Sequence, residues 1–403
     1  MISLGQSDAS PLGRIGLTDS RITSRGFIYY LDSNSGQFLL IVYTFILTSQ
    51  LSFVLTTIVV MHPFIYNANP ARVIFGSGTL KQVAAEVKRL GIKRPLVLST
   101  PEQSEHAMKV EELLKGSGVD SAGQFNKATM HTPLDVTLEA LKVVEERNVD
   151  GVIAIGGGST IGLGKAITLR TDLPQIVLPT TYAGSEMTPV IGQTENGVKT
   201  TQTTQKVLPE VVIYDVDFTM TLPPGLSATS GVNAIAHAVE ALYAQNGNPV
   251  ISLMAEEGIR ALAKGLPAIA EDPNNVEART NALYGAWLCG TCLGHVGMSV
   301  HHKLCHVLGG TFNLPHAETH TIVLPHALAY NAPKIPEALS RIARALDHTD
   351  AIEGLNELLT KLKVKRALKD IECLRMGLTG RPIWRSKMHI GIQGRWREIR
   401  FAK

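Results

Sequence analysis

The stretch 151-GVIAIGGGSTIGLGKAITL-169 decides the fold class of this chain of 403 residues. It begins with a short apolar run that is typical of a buried strand. It continues through three glycines and a hydroxyl pair into a segment with helical spacing. A strand that passes through a tight turn into a helix is the first half of a βαβ unit. The stretch therefore predicts a parallel sheet with helices packed against it.

The same alternation of strands and helices continues on both sides of this stretch. Apolar runs that end in polar turn residues lie at 94-RPLVLST-100, 175-QIVLPTTYAGSE-186 and 210-EVVIYDVDF-218. After Leu222 the apolar spacing is helical throughout, with glycine and proline between the segments. We expect an α/β nucleotide-binding domain with a parallel sheet over residues 61–222 and an all-helical catalytic domain over residues 223–365. A cleft between such domains is the expected place for chemistry.

Both ends of the chain differ from this body. Residues 37–60 form a run of 24 residues without a charge, long enough to cross a bilayer. Our hypothesis is that residues 1–60 are an extension upstream of the true start at Met61; the alternative is a membrane anchor at 37–60. Residues 366–403 are an atypical basic tail, and 361–403 hold 13 Lys/Arg against 3 Asp/Glu. A one-base shift of the coding frame near Glu372 would restore a helical pattern with balanced charge, so we predict a frameshift there.

The composition indicates a soluble protein of the cytoplasm. The net charge is +3. Without the basic tail, the composition predicts no positively charged surface that would bind nucleic acid. Four cysteines are too few for a disulfide scaffold. Cys289 and Cys292 have CxxC spacing, but they lie in an apolar run of small residues. We interpret them as buried structural thiols in a reducing compartment.

The glycines after the first quoted strand predict an anion site. Gly156 to Thr160 would present backbone N–H groups and the positive end of the following helix to a phosphate. The spacing is neither GxGxxG nor that of a P-loop, so a tight turn without a ligand remains an alternative. Thr180, Thr181 and Gly184 follow the next strand, and the ends of parallel strands meet at one edge of a sheet. The pair of turns therefore favours a bound nucleotide.

Histidines are concentrated in one part of the helical domain. Seven of the chain's 13 histidines lie between His295 and His326. Asn233 and His237 are four residues apart and share one helix face, as do His302 and His306 on a later helix. With His316 after a loop, these side chains are expected to converge on one site. We expect the remaining three of the stretch 301–326 to be surface or structural residues: His301, His320 and His326.

Four ordered motifs carry a resemblance to a known family. The segments GGGS, PTTYAGSE, GVNAIAHAVEA and HKLCHVLGGTFNLPH together resemble the iron-containing alcohol dehydrogenase superfamily, and within it the maleylacetate reductase branch. The resemblance runs from about Met61 to Lys365. It implies the fold shared with dehydroquinate synthases and a nicotinamide cofactor between the two domains. It also implies a homodimer that reduces the C=C bond of maleylacetate, and of chloromaleylacetate as a further candidate, to the 3-oxoadipate level in the breakdown of aromatic compounds.

The resemblance also indicates whether the protein needs a metal ion for catalysis. Metal-dependent members hold a divalent ion with an aspartate and three histidines, which correspond here to Asn233, His237, His302 and His316. Asparagine offers a neutral oxygen in place of a carboxylate, and this weakens a divalent site. Gly162 also differs from the pattern of the metal-dependent members, since many of them have aspartate at this position. We therefore expect catalysis without a metal; if an ion binds, its ligands are the three histidines, with water in the fourth position.

The roles implied by the resemblance complete the prediction. His237 and His302 would stabilise an enolate, and either His306 or His316 would deliver a proton, because imidazole titrates near neutral pH. The expected cofactor is NADH, with NADPH as the alternative, because an acid such as Glu102 near the ribose repels a 2′-phosphate. The cofactor residues are Gly157, Gly158 and Ser159 at the pyrophosphate, Thr180 and Thr181 at the nicotinamide ribose, and Thr100 and Glu102 at the adenosine. Lys303 or Lys206 would bind the substrate carboxylates.

Two other functions are compatible with the same residues. One is a metal-dependent alcohol dehydrogenase that acts on a small alcohol or aldehyde. The other is an inactive homologue that binds NAD without catalysis, because the altered tail replaces the end of the helical domain.

Overall fold

The structure is a computed structural model that describes residues 25–32, 37–44, 63–69, 72–195, 198–312, 314–371, 389–392 and 395–398. It divides into two compact units, Met1–Pro63 and Phe64–Lys403. In the first unit, strands β1 (Arg25–Asp32) and β2 (Gln37–Thr44) pair in antiparallel register. Strand β2 is the beginning of the uncharged run, and residues 45–60 of that run lie outside the described residues. Within the described part of the chain, no helix is long and apolar enough to cross a membrane.

A six-stranded parallel sheet forms the first part of the second unit, as predicted. Its strands lie in the order β3-β10-β7-β6-β4-β5, and every pairing between them is parallel. The bounds are β3 Arg72–Phe75, β4 Pro95–Leu98, β5 Gln124–Phe125, β6 Gly151–Gly156, β7 Gln175–Pro179 and β10 Val211–Tyr214.

Helices cover both faces of this sheet, which explains the apolar character of its strands. Every residue of β4, β6, β7 and β10 is buried, as expected for parallel strands covered on two sides. The connecting helices are α1 Val83–Arg89, α2 Ser104–Gly116, α3 Leu134–Glu146 and α4 Gly158–Thr171. A separate antiparallel hairpin, β8 Val190–Glu195 and β9 Val198–Thr203, follows β7 along the chain.

The rest of the second unit is helical up to Ile371. Strand β10 ends at Tyr214, and the first long helix begins at Pro224. The helices are α5 Pro224–Ala241, α6 Pro249–Glu271, α7 Val276–His295, α8 Val300–Phe312, α9 His316–Asn331, α10 Pro336–Ala345 and α11 Ala351–Lys361. This confirms the predicted order of an α/β sheet domain followed by a helical domain.

Helix α5 lies at the centre of the helical part. Fourteen of its 18 residues are buried, and α6, α7 and α9 all contact it. Cys289 and Cys292 on α7 are free thiols in the core around it. Burial raises the pKa of Cys292 to about 12, so this thiol stays protonated and inert at neutral pH. The interpretation of these two cysteines as structural is therefore supported by their burial.

Most of the basic tail, residues 366–403, lies outside the described residues. The described helical part ends at Ile371. Beyond it the structure describes only strands β11 His389–Ile392 and β12 Arg395–Glu398, which pair in antiparallel register. The predicted frameshift position, Glu372, falls outside the described residues.

Candidate functional site

The predicted cofactor residues follow the ends of three neighbouring strands. Thr100 and Glu102 come after β4, Gly157 and Ser159 after β6, and Thr180 after β7. Because these strands are adjacent and parallel, their carboxyl ends meet at one edge of the sheet. Helix α4 begins at Gly158, so its N-terminal N–H groups face that edge. This is the arrangement in which α/β sheets bind nucleotides.

Two glycines at this edge are required by close contacts. Gly156 has φ +155, and a Cβ there would lie 2.4 Å from Thr160 Oγ1 and 2.5 Å from Gln103 Oε1. A residue with a side chain at this position would have a strained backbone conformation and would clash with these two atoms. A Cβ on Gly158, in contrast, would meet no atom within 4 Å. The glycine run therefore closes tightly against the protein at Gly156 and is open at Gly158, where an anion would approach.

Gln103 is a residue that the sequence analysis missed at this edge. Its Nε2 donates a 2.6 Å hydrogen bond to Thr180 Oγ1, and so connects the turn after β4 with the turn after β7. Nearby, a backbone hydrogen bond and the Thr100 side chain lower the pKa of Glu102. Glu102 is therefore an exposed, ionised carboxylate. A glutamine beside a strand end carries no motif that would have singled out Gln103.

The turn after β7 connects this edge to the helical domain. Tyr182 N donates a 3.0 Å hydrogen bond to Ser230 Oγ on α5. Gly184 has φ +80, and a Cβ there would lie 2.9 Å from Gly290 Cα and 3.4 Å from His237 Nδ1. The same loop that begins with Thr180 and Thr181 thus contacts the helix that carries His237. The cofactor edge and the histidines are consequently neighbours.

Six histidines form one cluster. The ring centroids of His237 and His302 are 5.0 Å apart, and those of His302 and His306 are 6.3 Å apart. His306 and His316 stack at 6.3 Å, so the four predicted histidines are brought together. The other two members are His301, at 5.2 Å from His302, and His320, at 4.2 Å from His316.

His301 and His320 were predicted to be surface or structural residues, and their placement is that of structural residues. Neither is a surface residue, because both have an exposed fraction of 0%. They lie in the interior because α8 and α9 pack against each other at this point. His301 Nε2 and His320 Nδ1 are 3.0 Å apart, which is hydrogen-bond distance. His326 is exposed, as expected.

Glu240 is the acidic residue of the cluster, and the sequence analysis missed it. Its carboxylate is fully buried and accepts a 2.7 Å hydrogen bond from His302 Nδ1. It also accepts backbone N–H groups of Ser299 at 2.8 Å and His301 at 2.7 Å, at the start of α8. Helical spacing could have identified it, since Glu240 lies three residues after His237 and seven after Asn233, on the same helix face.

Burial determines which groups of the cluster carry charge. Burial first, and then the charge of His302, lower the pKa of His237 well below its usual value. The same two causes lower the pKa of His301 to about 3, and burial together with His316 lowers that of His320. Burial opposes ionisation of Glu240, but the hydrogen bond from His302 and the charge of His302 outweigh it and lower its pKa to about 2. The interior of the cluster therefore holds three neutral imidazoles and one carboxylate.

The predicted lysines differ in their surroundings. Lys206 Nζ lies 3.3 Å from Asp172 Oδ1, so this ammonium group already has an anionic partner. Lys303 is exposed and follows His302 directly on α8. Of the two, Lys303 is the one that lies beside the histidine cluster.

Comparisons with known proteins agree with this geometry. Residues 70–216 match the description "Iron-containing alcohol dehydrogenase", and residues 227–377 match "Fe-containing alcohol dehydrogenase family, C-terminal". The chain belongs to the iron-containing alcohol dehydrogenase family.

Several similar proteins within that family are named maleylacetate reductases. One from Rhizobium sp. (strain MTP-10005) is 51% identical over 331 residues, which cover 80% of this chain and 93% of the relative. One from Sphingobium indicum is 54% identical over 76% of this chain and 86% of the relative. The crystal structure of maleylacetate reductase from Agrobacterium tumefaciens has a TM-score of 0.74 and 52% identity, over 77% of this chain and 88% of that chain.

The family name implies iron, and the resemblance assigns its ligand positions to Asn233, His237, His302 and His316. Asn233 Oδ1, His237 Nδ1 and His302 Nε2 are buried and have no hydrogen-bond partner among the described residues. Such atoms fit a cation. His316 belongs to the same cluster, where its ring contacts those of His306 and His320. None of the four offers a carboxylate, however, so the affinity would be lower than with an aspartate at position 233. An ion held there would act as a Lewis acid toward a carbonyl oxygen.

Proposed function

We propose that this protein reduces the C=C bond of maleylacetate to give 3-oxoadipate, with NADH as the hydride donor. The observation that carries the proposal is the buried cluster of neutral imidazoles around Glu240 and His302, next to a nucleotide-binding edge. Relatives at about half identity are named maleylacetate reductases, which supports the choice of substrate. The product places the protein in the breakdown of aromatic compounds, and chloromaleylacetate is a second candidate substrate.

The reaction adds hydride to the carbon β to the ketone of the substrate. Negative charge then develops on the ketone oxygen as an enolate, and a proton must reach the α carbon, which is the carbon of the former double bond that is bonded to the ketone. The cofactor would lie with its pyrophosphate at Gly157, Gly158 and Ser159. The turn at Thr180 and Thr181 would hold the ribose of the nicotinamide, since this turn leads directly to the loop that contacts His237.

His237 and His302 are proposed to stabilise the enolate. His302 Nδ1 donates to the Glu240 carboxylate, so Nε2 is the ring atom available to the substrate. When Nε2 is protonated, the imidazolium next to a buried carboxylate is an electrostatically favourable pair that can donate to an oxyanion. His237 stays neutral because burial lowers its pKa, and it contributes a neutral N–H group. Asn233 would add its amide on the same helix face.

His306 or His316 is proposed to deliver the proton. Both are exposed, so each can recover a proton from solvent after turnover. The buried imidazoles of His301 and His320 are poor proton donors at neutral pH, because burial lowers the pKa of each. The substrate has two carboxylates, and Lys303 is the better candidate to bind one, because Lys206 is already paired with Asp172.

We further propose that the reaction does not require a metal and that the protein acts as a homodimer in the cytoplasm. The neutral amide of Asn233, in place of a carboxylate, supports catalysis without a metal. An alcohol dehydrogenase that depends on a metal would instead lose its activity when the ion is removed. An inactive homologue would bind NADH without oxidising it.

One assay separates these functions. The purified full chain is mixed with NADH and maleylacetate, with and without a strong chelator, and the absorbance of the reduced nicotinamide is followed. We expect oxidation of NADH that the chelator does not abolish, and a lower kcat/KM with NADPH. Folded protein that binds NADH but leaves it reduced would contradict the proposal. Activity lost with chelator and restored by iron or zinc would favour the metal-dependent alternative.

The proton donor is identified by matched variants in the same assay. His306→Gln and His316→Gln each remove one exposed imidazole and keep a polar side chain of similar size. The variant that lacks the donor should lose about 100-fold or more in kcat, as is typical for general acids, whereas the other should retain most of it. Equal small losses in both would exclude this role for either residue.

A further inference from the structure

A group of three buried side chains lies beside the proposed substrate site and is used by no step above. His301 and Cys305 are four residues apart on α8, and His320 faces them from α9. One ligand atom of each residue, two ring nitrogens and a thiol sulfur, lies within 4.8 Å of the other two. All three residues are buried. None of them is one of the four positions at which the family resemblance places an ion.

The distances fit a tetrahedral ion. His301 Nε2 lies 3.0 Å from His320 Nδ1, and Cys305 Sγ lies 3.8 Å from His301 Nε2. Zinc binds nitrogen at about 2.0–2.1 Å and sulfur at about 2.3 Å, so two ligands of one tetrahedron are about 3.3–3.6 Å apart. These two separations lie on either side of that range, and the third pair of ligand atoms, from Cys305 and His320, is within 4.8 Å.

The electrostatics of the surroundings also fit a divalent cation. Glu240 accepts the backbone N–H of His301 at 2.7 Å, so a carboxylate lies next to the group. Zinc with one thiolate and two neutral imidazoles has a charge of +1, which this carboxylate would balance. Burial, with the nearby Glu240 charge as second cause, raises the pKa of the Cys305 thiol well above its usual value. Without an ion, this thiol is therefore protonated and inert.

We propose that His301, Cys305 and His320 bind a zinc-like divalent cation that connects α8 to α9. A thiolate with two imidazoles selects zinc or a similarly soft ion over magnesium, calcium or manganese. The ion holds together the two helices that carry His302, His306 and His316, so it has a structural effect on the neighbouring site. The site is independent of the proposed reduction, because it concerns metal content and stability and not hydride transfer.

Cobalt(II) is a suitable probe, because a thiolate bound to it produces a charge-transfer absorption in the near ultraviolet. The full chain is freed of metal with a chelator and titrated with cobalt(II) and then zinc(II), with metal content measured by emission spectroscopy. We expect one equivalent of cobalt, the thiolate absorption, its loss on addition of zinc, and a melting temperature several degrees higher with zinc.

Variants locate the ion. Cys305→Ala should abolish the absorption and lower the affinity at least tenfold. Cys292→Ala is the matched control, since it removes another buried thiol of the helical domain, and it should leave both unchanged. His302→Ala removes a residue of the family's ligand positions and should also retain the absorption.

Other outcomes overturn the proposal. Folded wild-type protein that takes up no cobalt, or takes it up without the thiolate absorption, would show that the three side chains form only hydrogen bonds. Loss of the absorption in Cys292→Ala but not in Cys305→Ala would move the ion to the CxxC pair. If Cys305→Ala does not fold by circular dichroism, Cys305→Ser takes its place, because serine keeps the volume but not the thiolate absorption. NADH oxidation is measured separately. A protein that binds no metal at this site could still reduce maleylacetate, and a protein that does not oxidise NADH could still bind the metal.

Discussion

Replacing Glu240 by glutamine tests whether this carboxylate organises the histidine cluster. The side chain is fully buried and accepts hydrogen bonds from His302 Nδ1 and from the backbone N–H groups of Ser299 and His301. Glutamine has nearly the same shape, but it has only one acceptor oxygen, and its NH₂ group would face donors. The substitution therefore removes charge-assisted hydrogen bonds and adds a repulsive contact between two donors.

The size of the effect follows from the pKa of Glu240, which is lowered from 4.5 to about 2. Each pKa unit corresponds to about 1.4 kcal/mol of interaction that favours the ionised form in the folded state. The carboxylate thus contributes on the order of 3 kcal/mol to folding. For a domain of this size, that corresponds to a fall in melting temperature of about 6 °C or more.

The sign of the pH dependence is fixed by the direction of the shift. Because the pKa is lower in the folded state, the stabilisation is fully present above the unfolded pKa of 4.5 and is lost as the pH falls toward 2. Calorimetry of Glu240→Gln and wild type should give a constant difference in melting temperature between about pH 7 and pH 5, and a smaller difference below about pH 4.5.

The matched control is Glu337→Gln, which removes the same charge from a side chain that is 85% exposed. It should change the melting temperature by less than about 1 °C, because exposed ion pairs contribute little. A change in Glu240→Gln that is no larger than the control would refute the assignment. A difference that grows on acidification would contradict the direction of the pKa shift.

Three further substitutions test other contacts. Gly162→Ala would place a Cβ 2.2 Å from Thr132 Oγ1, so we expect about 1–3 kcal/mol of destabilisation, and calorimetry showing no change would exclude the clash. Lys165→Met removes an amino group that donates 2.6–2.9 Å hydrogen bonds to Ser185, Thr188 and Val190; each buried acceptor left unsatisfied costs about 1–3 kcal/mol, and a melting temperature equal to wild type would contradict this. Asn233→Asp supplies an anionic ligand, so titration calorimetry should show divalent ions binding at least tenfold more tightly, whereas unchanged affinity would show that residue 233 is not a ligand.

The fold could be predicted because its signals are local. Continuous apolar strands, the glycine turn after β6 and the change to helical spacing after Leu222 each lie within a short window of sequence. The turn residues after β4, β6 and β7 could also be assigned to one edge of the sheet, since parallel topology alone brings the strand ends together. Gln103 could not be found in this way, because its importance comes from a hydrogen bond to a residue 77 positions away.

The histidine cluster was only partly predictable for a related reason. Residues four apart share a helix face, and this was enough to group His237 with Asn233 and His302 with His306. The burial of His301 and His320 depends instead on how α8 packs against α9, which spacing within one helix does not reveal. The loop before α9 separates the two helices in sequence and leaves their contact undetermined until the fold is known.

Glu240 shows how the position of a carboxylate within one helix decides what it can do. A carboxylate at position 233 would face the same side as His237 and could contact a cation directly. The carboxylate at position 240 instead contacts His302 Nδ1 and the N-terminus of α8. It therefore holds the Nδ1 side of the His302 ring and leaves Nε2 for the substrate, beside the amide of Asn233 and the neutral ring of His237. A site with this arrangement can direct His302 Nε2 at the enolate oxygen, and this is why removal of Glu240 should impair His302 even though Glu240 itself lies behind the ring that would meet the substrate.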